Sequence, residues 1–501
     1  MQPQLPTPAP EKSPRINSPS RFGVRPGAPF LYRIAVSGLR PVVFSVEGLP
    51  AGLSLDREKG IISGSLSEAG EFVLTLMAKN SAGEARKNLT VSVGERIALT
   101  PPMGWNSWYC LSESVGEEQI RRQARAMQES GLADFGWTYI CIDDCWQGRR
   151  GGPLNAIQPN ERFGDMKAMA DEIHGLGLKL GIYSTPWIGT YAGFSGGSSD
   201  NANGEPDEVA LPPEQRLQDS QVYGRYPGLH ECKVDRVGRY WFMDRDAKQW
   251  AEWGVDFVKA DWLLADVSPL APVYQALRDA GRDMVLSLSN SGRLPLVAEY
   301  QRYAQMWRTT GDIQDTWESI SGIGFAQAEW QQHLSAGGWP DPDMLQVGHI
   351  GKTNAENREF VPTRLTPDEQ YTQMTLWCLL SAPLILSCDL TQLDDFTRGL
   401  LTNAEVLEID QDIAAQPCRL LQRDEEHSTE VWVKSLADGS YAVALFNRGD
   451  KDEKISADLN RLSGKGICRL RDLWRQQDLP LMTNLQQTVS PHGTFLCRVW
   501  L

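Results

Sequence analysis

Five aspartates stand where buried apolar runs end or begin. Asp143 and Asp144 close Tyr139-Ile140-Cys141-Ile142, Asp261 closes Phe257-Val258-Lys259-Ala260, Asp312 lies just past the run from Met306, and Asp343 opens one near Met344. A lone aspartate in such a place is ordinarily a helix cap or a turn residue. Five that converge on one mouth point to chemistry: one ionised carboxylate can attack an electrophilic carbon while another carboxyl moves a proton. At an acetal carbon, two carboxyls about 5 to 5.5 Å apart displace with retention, and a wider pair inverts.

Lys259 and Asp261 are two residues apart on one strand, so they share a face. They form either a buried ion pair or a site in which the lysine keeps Asp261 ionised and bonds a substrate hydroxyl. Arg308 precedes Asp312 by four. A general acid must keep its proton, so Arg308 is expected to aim at substrate oxygens and Asp312 to be partly desolvated. Trp105, Trp108, Trp146, Tyr183 and Trp339 also fall at predicted strand ends, where each packs either in the core or against the apolar face of a sugar. None of the six histidines has metal-ligand spacing, so neither metal nor cofactor is expected.

These residues need a scaffold that gathers strand ends. Between about 97 and 412 the pattern alternates strand with helix, and eight strands over that length predict a TIM barrel, whose site forms at the C-terminal strand ends. Ser114 to Glu117 and Thr366 to Glu369 read as capping boxes that start two of its helices. A long Gly-, Ser-, Asn- and Asp-rich stretch from Gly189 to about Val237 breaks the rhythm after the third strand and reads as a lid or a substrate wall.

Residues 1–20 read as a Pro-rich linker. Residues 21–96 carry short alternating strands and read as an Ig-like β-sandwich, and 413–501 return to strands as a C-terminal antiparallel β-sandwich. At 501 residues, several domains are expected. A net charge of −15 with no basic patch argues against nucleic acid, and no apolar run is long enough to span a membrane. The start M-Q-P-Q-L-P-T-P-A-P lacks a signal peptide's charged and apolar regions, yet a Pro-rich start is also what a mature exported chain shows. Nine cysteines without C-x-x-C pairs leave the compartment open.

The blocks L-T-P-P-M-G-W-N-S-W, Y-I-C-I-D-D-C-W, G-L-K-L-G-I-Y, D-F-V-K-A-D-W, M-W-R-T-T-G-D-I, G-G-W-P-D-P-D-M-L and A-P-L-I-L-S-C-D-L, in this order, resemble glycoside hydrolase family 27. The N-terminal segment G-L-P-A-G-L-S-L-D resembles the Ig-like modules found beside carbohydrate-active domains. The first resemblance implies a retaining exo-glycosidase for terminal α-linked galactose, with Asp261 as nucleophile and Asp312 as acid/base. It further implies Asp143 and Asp144 on the O4 and O6 hydroxyls, Lys259 and Arg308 on ring hydroxyls, and Trp108, Tyr183 and Asp343 lining the pocket. A Cys110–Cys145 disulfide is implied as well, and with it a secreted or periplasmic location.

The chain departs from the family in two places. A second disulfide beside the nucleophile would need cysteines where Tyr191 and Leu263 stand, so the wall there is built otherwise. After the fifth strand, Ser287-Leu288-Ser289-Asn290 replaces the galactosidase-like C-E-W segment that reads the C2 substituent. α-N-acetylgalactosamine, β-L-arabinopyranose, isomaltose release from α-glucan, and a non-catalytic glycan binder are the competing expectations.

Overall fold

A computed structural model describes residues 7–204, 237–264, 266–351, 360–463 and 466–500. Its centre is an eight-stranded parallel sheet curled into a barrel. The strands are β1 (Met103–Asn106), β2 (Tyr139–Ile142), β3 (Lys179–Ser184), β4 (Phe257–Asp261), β5 (Val285–Ser289), β6 (Met306–Arg308), β7 (Trp339–Asp341) and β8 (Leu384–Leu386). They neighbour one another in sequence order from β1 to β7, β8 pairs with β1, and a parallel bridge between Leu345 and Leu386 closes the ring. Buried on both faces, these strands are almost continuously apolar, as parallel strands under helices must be.

Helices cover the outside. Glu117–Glu129 buries Ile120, Ala124 and Met127 against the barrel. Its N-cap is Gly116, with no side-chain cap, while the Ser114 hydroxyl donates to the Leu111 carbonyl instead. The first expected capping box is therefore not formed, because a short 3-10 turn over Ser112–Ser114 occupies that segment. The second is formed: Thr366 caps Pro367–Leu380, accepting from the Glu369 amide while Glu369 accepts from that of Thr366. The Pro367–Leu380 helix is buried on nearly every side, because the C-terminal sandwich packs on the face that a barrel helix usually shows to water.

The N-terminal module stacks a four-stranded sheet on a three-stranded one around Phe30, Tyr32, Leu74, Leu76, Leu89 and Val91. Arg15 and Ile16 already pair with Ser37 and Val36, within the stretch read as a linker, because Ile16 joins this core. The module docks on the barrel's N-terminal end: Arg25 pairs with Asp283, Arg33 with Asp134 at 3.0 Å, and Lys179 of β3 lies 4.8 Å above the Phe22 ring. The far mouth is left to the site. The C-terminal module contains a six-stranded antiparallel sheet, Arg419–Asp424 to Thr494–Trp500, and a separate strand pair. Among the described residues no helix is long and apolar enough to cross a membrane.

Candidate active site

A pocket of about 660 Å³ opens at the C-terminal ends of the barrel strands, where Trp108, Asp143, Asp144, Tyr183, Lys259, Asp261, Arg308 and Asp312 all meet it. Its floor is charged and buried. Asp261, the last residue of β4, accepts from the Tyr183 hydroxyl at 2.8 Å on one oxygen, and from the Trp262 amide at 3.1 Å and the Asn290 side chain at 3.0 Å on the other. Burial pushes the Asp261 carboxyl above the usual carboxylate range, opposed by the charge of Lys259 and the Tyr183 hydrogen bond. Burial also holds the Tyr183 phenol protonated, so that it remains a donor.

Lys259 does not grip Asp261 directly. Its Nζ lies 2.7 Å from Asp143, which also accepts from Asn106 at 2.8 Å. Burial alone would depress the Lys259 ammonium, but the charges of Asp143 and Asp261 overcome this and hold it above its ordinary value. The lysine thus forms a buried ion pair with Asp143, and its charge reaches Asp261 through space. Asp144 accepts from the Ala192 amide and the Cys145 amide, each at 2.7 Å, and burial pushes it up to about 7.

Asp312 differs from all of these. Its side chain is 58% exposed, on the loop after β6, and Arg308 Nη2 reaches it at 3.2 Å. The expectation of a partly desolvated Asp312 is corrected, and Arg308, while lining the pocket, also contacts it. Arg308 is buried and gathers its own loop, donating to the Thr310 and Gly311 carbonyls and to Asp312, and pairing with Asp343 at 2.7 Å. A buried guanidinium needs acceptors, and this loop supplies them. The loop's far end is tethered by Asp315, which Arg364 meets at 2.5 Å.

The comparisons with known proteins agree on the family of the chain. The family described as Alpha galactosidase A matches residues 100–208 and 221–412. The chain belongs to that family. Its C-terminal beta sandwich domain matches 426–499, and an Ig-domain family matches 13–94. A probable alpha-galactosidase of Dictyostelium discoideum is 33% identical over 80% of this chain and 92% of its own. A candidate alpha-galactosidase from Bacteroides fragilis superposes with a TM-score of 0.83 at 30% identity, covering 98% of both chains. A family 27 β-L-arabinopyranosidase from Geobacillus stearothermophilus gives 0.67 at 31% identity, covering 81% of this chain and 98% of its own. This member of the alpha-galactosidase A family is accordingly a glycoside hydrolase.

Two further expectations for the family member are corrected. Asp343 follows β7 rather than opening it, and it does not line the pocket. It is buried behind Arg308 and accepts from Tyr109 at 2.9 Å, the Ile313 amide at 2.9 Å and the Met344 amide at 2.8 Å. The Cys110–Cys145 disulfide is not formed: both side chains are buried, and burial pushes the Cys145 thiol well up.

Of the other aromatic candidates, Trp105, Trp146 and Trp339 are core residues with their indole nitrogens on the carbonyls of Cys388, Tyr183 and Ala98. Where the second family disulfide is missing, Tyr191 lies parallel to Trp262, with ring centres 6.1 Å apart, and edge-on to Trp108 at 5.9 Å. That aromatic row is the alternative wall, and Leu263 is buried behind it. Tyr191 belongs to the inserted stretch after β3, so the described part of that stretch does border the pocket, while 205–236 lie outside the described residues. Sequence reasoning missed Asn290 as a partner of Asp261. It also missed Tyr109, Trp262, Asp315 and Arg364 on the pocket, since none ends an apolar run with a charge.

Proposed function

We propose that this chain is a retaining exo-glycosidase that removes terminal α-linked galactose, with Asp261 as nucleophile and Asp312 as acid/base. The observation that carries the reading is the contrast of the two carboxyls within one pocket. Asp261 is buried and held from both oxygens, whereas Asp312 stands exposed on a loop where a departing group can leave to water. In the first step an Asp261 oxygen bonds to the anomeric carbon as the bond to the aglycone breaks, and the Asp312 proton passes to the leaving oxygen. In the second, Asp312 takes a proton from water, whose oxygen bonds to the anomeric carbon as the Asp261 ester breaks. The two inversions give net retention.

Asp143, with Lys259 beside it, and Asp144 offer a dense acceptor and donor set on the floor, suited to an axial O4 and a C6 hydroxyl. Trp108 supplies an aromatic face at the rim. The Geobacillus relative acts on β-L-arabinopyranosides. That sugar shares galactose's ring stereochemistry and lacks C6, so it is the nearest alternative substrate. α-N-acetylgalactosamine and isomaltose-releasing activity on α-glucan follow it.

The test is to follow the product by proton NMR with nitrophenyl glycosides of galactose, N-acetylgalactosamine and arabinopyranose, and with dextran. Fastest turnover of the α-galactoside with α-galactose appearing first is expected. Initial release of the product with inverted anomeric configuration, β-galactose from the α-galactoside, would sink the mechanism, and a preference for another sugar would reassign the substrate.

A further inference from the structure

Asn290 lies in the segment that departs from the family where the family reads the C2 substituent, and the resemblance gives Asn290 itself no role. Resting on the reading of Asp261 as nucleophile, we propose that Asn290, with Ser291 and Gly292, is a brace that fixes the nucleophile carboxyl relative to the end of β6, from which the loop bearing the acid/base leaves. Asn290 is a positioning residue.

The brace has two grips. On one side the Asn290 amide donates to Asp261 at 3.0 Å, on the oxygen opposite the one held by Tyr183. The carboxyl plane is thereby set from two strands, β3 and the end of β5. On the other side the backbone of the next two residues is bonded to the end of β6 and the loop beyond it: the Ser291 amide donates to the Thr310 carbonyl at 3.2 Å and the Gly292 amide to that of Arg308 at 3.0 Å. Thr310 is two residues before Asp312. A single short segment therefore joins the Asp261 carboxyl to the backbone that leads to Asp312.

Its conformation fits that task and little else. Asn290 and Ser291 both have positive φ, +67° and +37°, a region non-glycine residues enter only where the surroundings hold them. Asparagine tolerates it best among residues that carry an amide donor. Gly292 approaches so closely that a Cβ there would lie 2.5 Å from the Arg308 carbonyl oxygen and 3.0 Å from the Trp330 ring. A bare β-turn would need neither the amide nor this contact.

The groups acting on Asp261 besides Asn290 are Lys259 on its own strand, Tyr183 on β3, Asp143 after β2, Asp312 after β6 and the Trp262 amide. Lys259, Tyr183 and the amide favour its ionised form, and the two aspartates oppose it. Loss of the Asn290 donor therefore moves the acidic limb of the kcat/KM profile upward.

The experiment compares Asn290→Gly, which fits the positive φ but lacks the amide, with the near-isosteric Asn290→Asp, on whichever nitrophenyl glycoside the wild type cleaves fastest. Thermal melting is recorded for each. Expected for Asn290→Gly is a kcat/KM lower by about 10- to 100-fold, the loss typical of one hydrogen bond to a charged group. Its acidic limb should rise by about one pH unit, with melting close to wild type. Asn290→Asp should raise that limb further, since a second carboxyl then faces the first.

An Asn290→Gly enzyme within twofold of wild type, with its acidic limb unmoved, overturns the brace. Asp261→Asn, assayed alongside, separates the two failures. If it is inactive while the Asn290 variants behave as wild type, only the brace falls; if it is active, the nucleophile assignment falls and takes the brace with it.

Discussion

The two sides of the pocket are built on opposite principles. The Asp261 side is a floor of strand-borne, buried side chains in which every charge has a partner: Lys259 with Asp143, Asp261 with Tyr183, Asn290 and the Trp262 amide. The Asp312 side is a loop, with its carboxyl in water and its anchors, Arg308 and Asp343, beneath it. The difference teaches which group must be fixed and which must exchange. A nucleophile that attacks one carbon gains from a rigid, desolvated setting, whereas a proton donor and acceptor that serves first a leaving group and then a water needs access to both. On the buried side, the charge of Lys259 and the Tyr183 hydrogen bond oppose the desolvation that would keep Asp261 protonated.

The sharpest way to break this contrast is to remove the attacking oxygen. Asp261→Asn is expected to lower kcat by more than about 10⁴-fold on every glycoside tested, including those with nitrophenolate leaving groups. A loss that varied with the leaving group would move Asp261 out of the nucleophile's role. Asp312→Asn should cost less and cost it unevenly. About 10²- to 10⁴-fold is expected on alkyl or sugar aglycones that must be protonated, with a much smaller loss in the first step on nitrophenyl glycosides. Burst kinetics would separate the steps, and an equal loss on both substrate kinds would undo the acid/base assignment.

The smallest effect concerns stability on the buried side. Burial pushes Asp341, behind Arg308, up to about 7, whereas an unfolded aspartate titrates near 3.9. Between about pH 4 and 7 the folded chain therefore keeps a proton that the unfolded chain has released, so this residue's contribution falls as pH rises through that window. Asp341→Asn retains the acceptor for the Asp343 amide and removes the titration. Its melting temperature should decline less between pH 4.5 and 7.5 than that of the wild type, and an identical decline would mean that Asp341 is ionised throughout.

Much of this molecule could be read along the chain. Apolar runs that end in charge located β2 and β4 and therefore Asp143, Asp144 and Asp261, because a parallel barrel strand is buried on both faces and turns polar only where it reaches the mouth. Thr366 and Glu369 marked a helix start through local chemistry alone. Ser114 misled for the same reason: a capping box is a local pattern, and a neighbouring 3-10 turn took the segment first.

What the chain order alone determined was the fold class and those mouth residues that end a barrel strand in charge, such as Asp143, Asp144 and Asp261, since both follow from periodicity and strand polarity. Which groups actually touch was decided by the tertiary structure. Lys259 chose Asp143 over its strand neighbour Asp261, Asp343 turned under Arg308 instead of toward the pocket, and Asn290 reached a carboxyl 29 residues away. A pairing of side chains depends on the closure of the barrel and on loop conformations such as the left-handed Asn290, and neither leaves a periodic trace in the sequence.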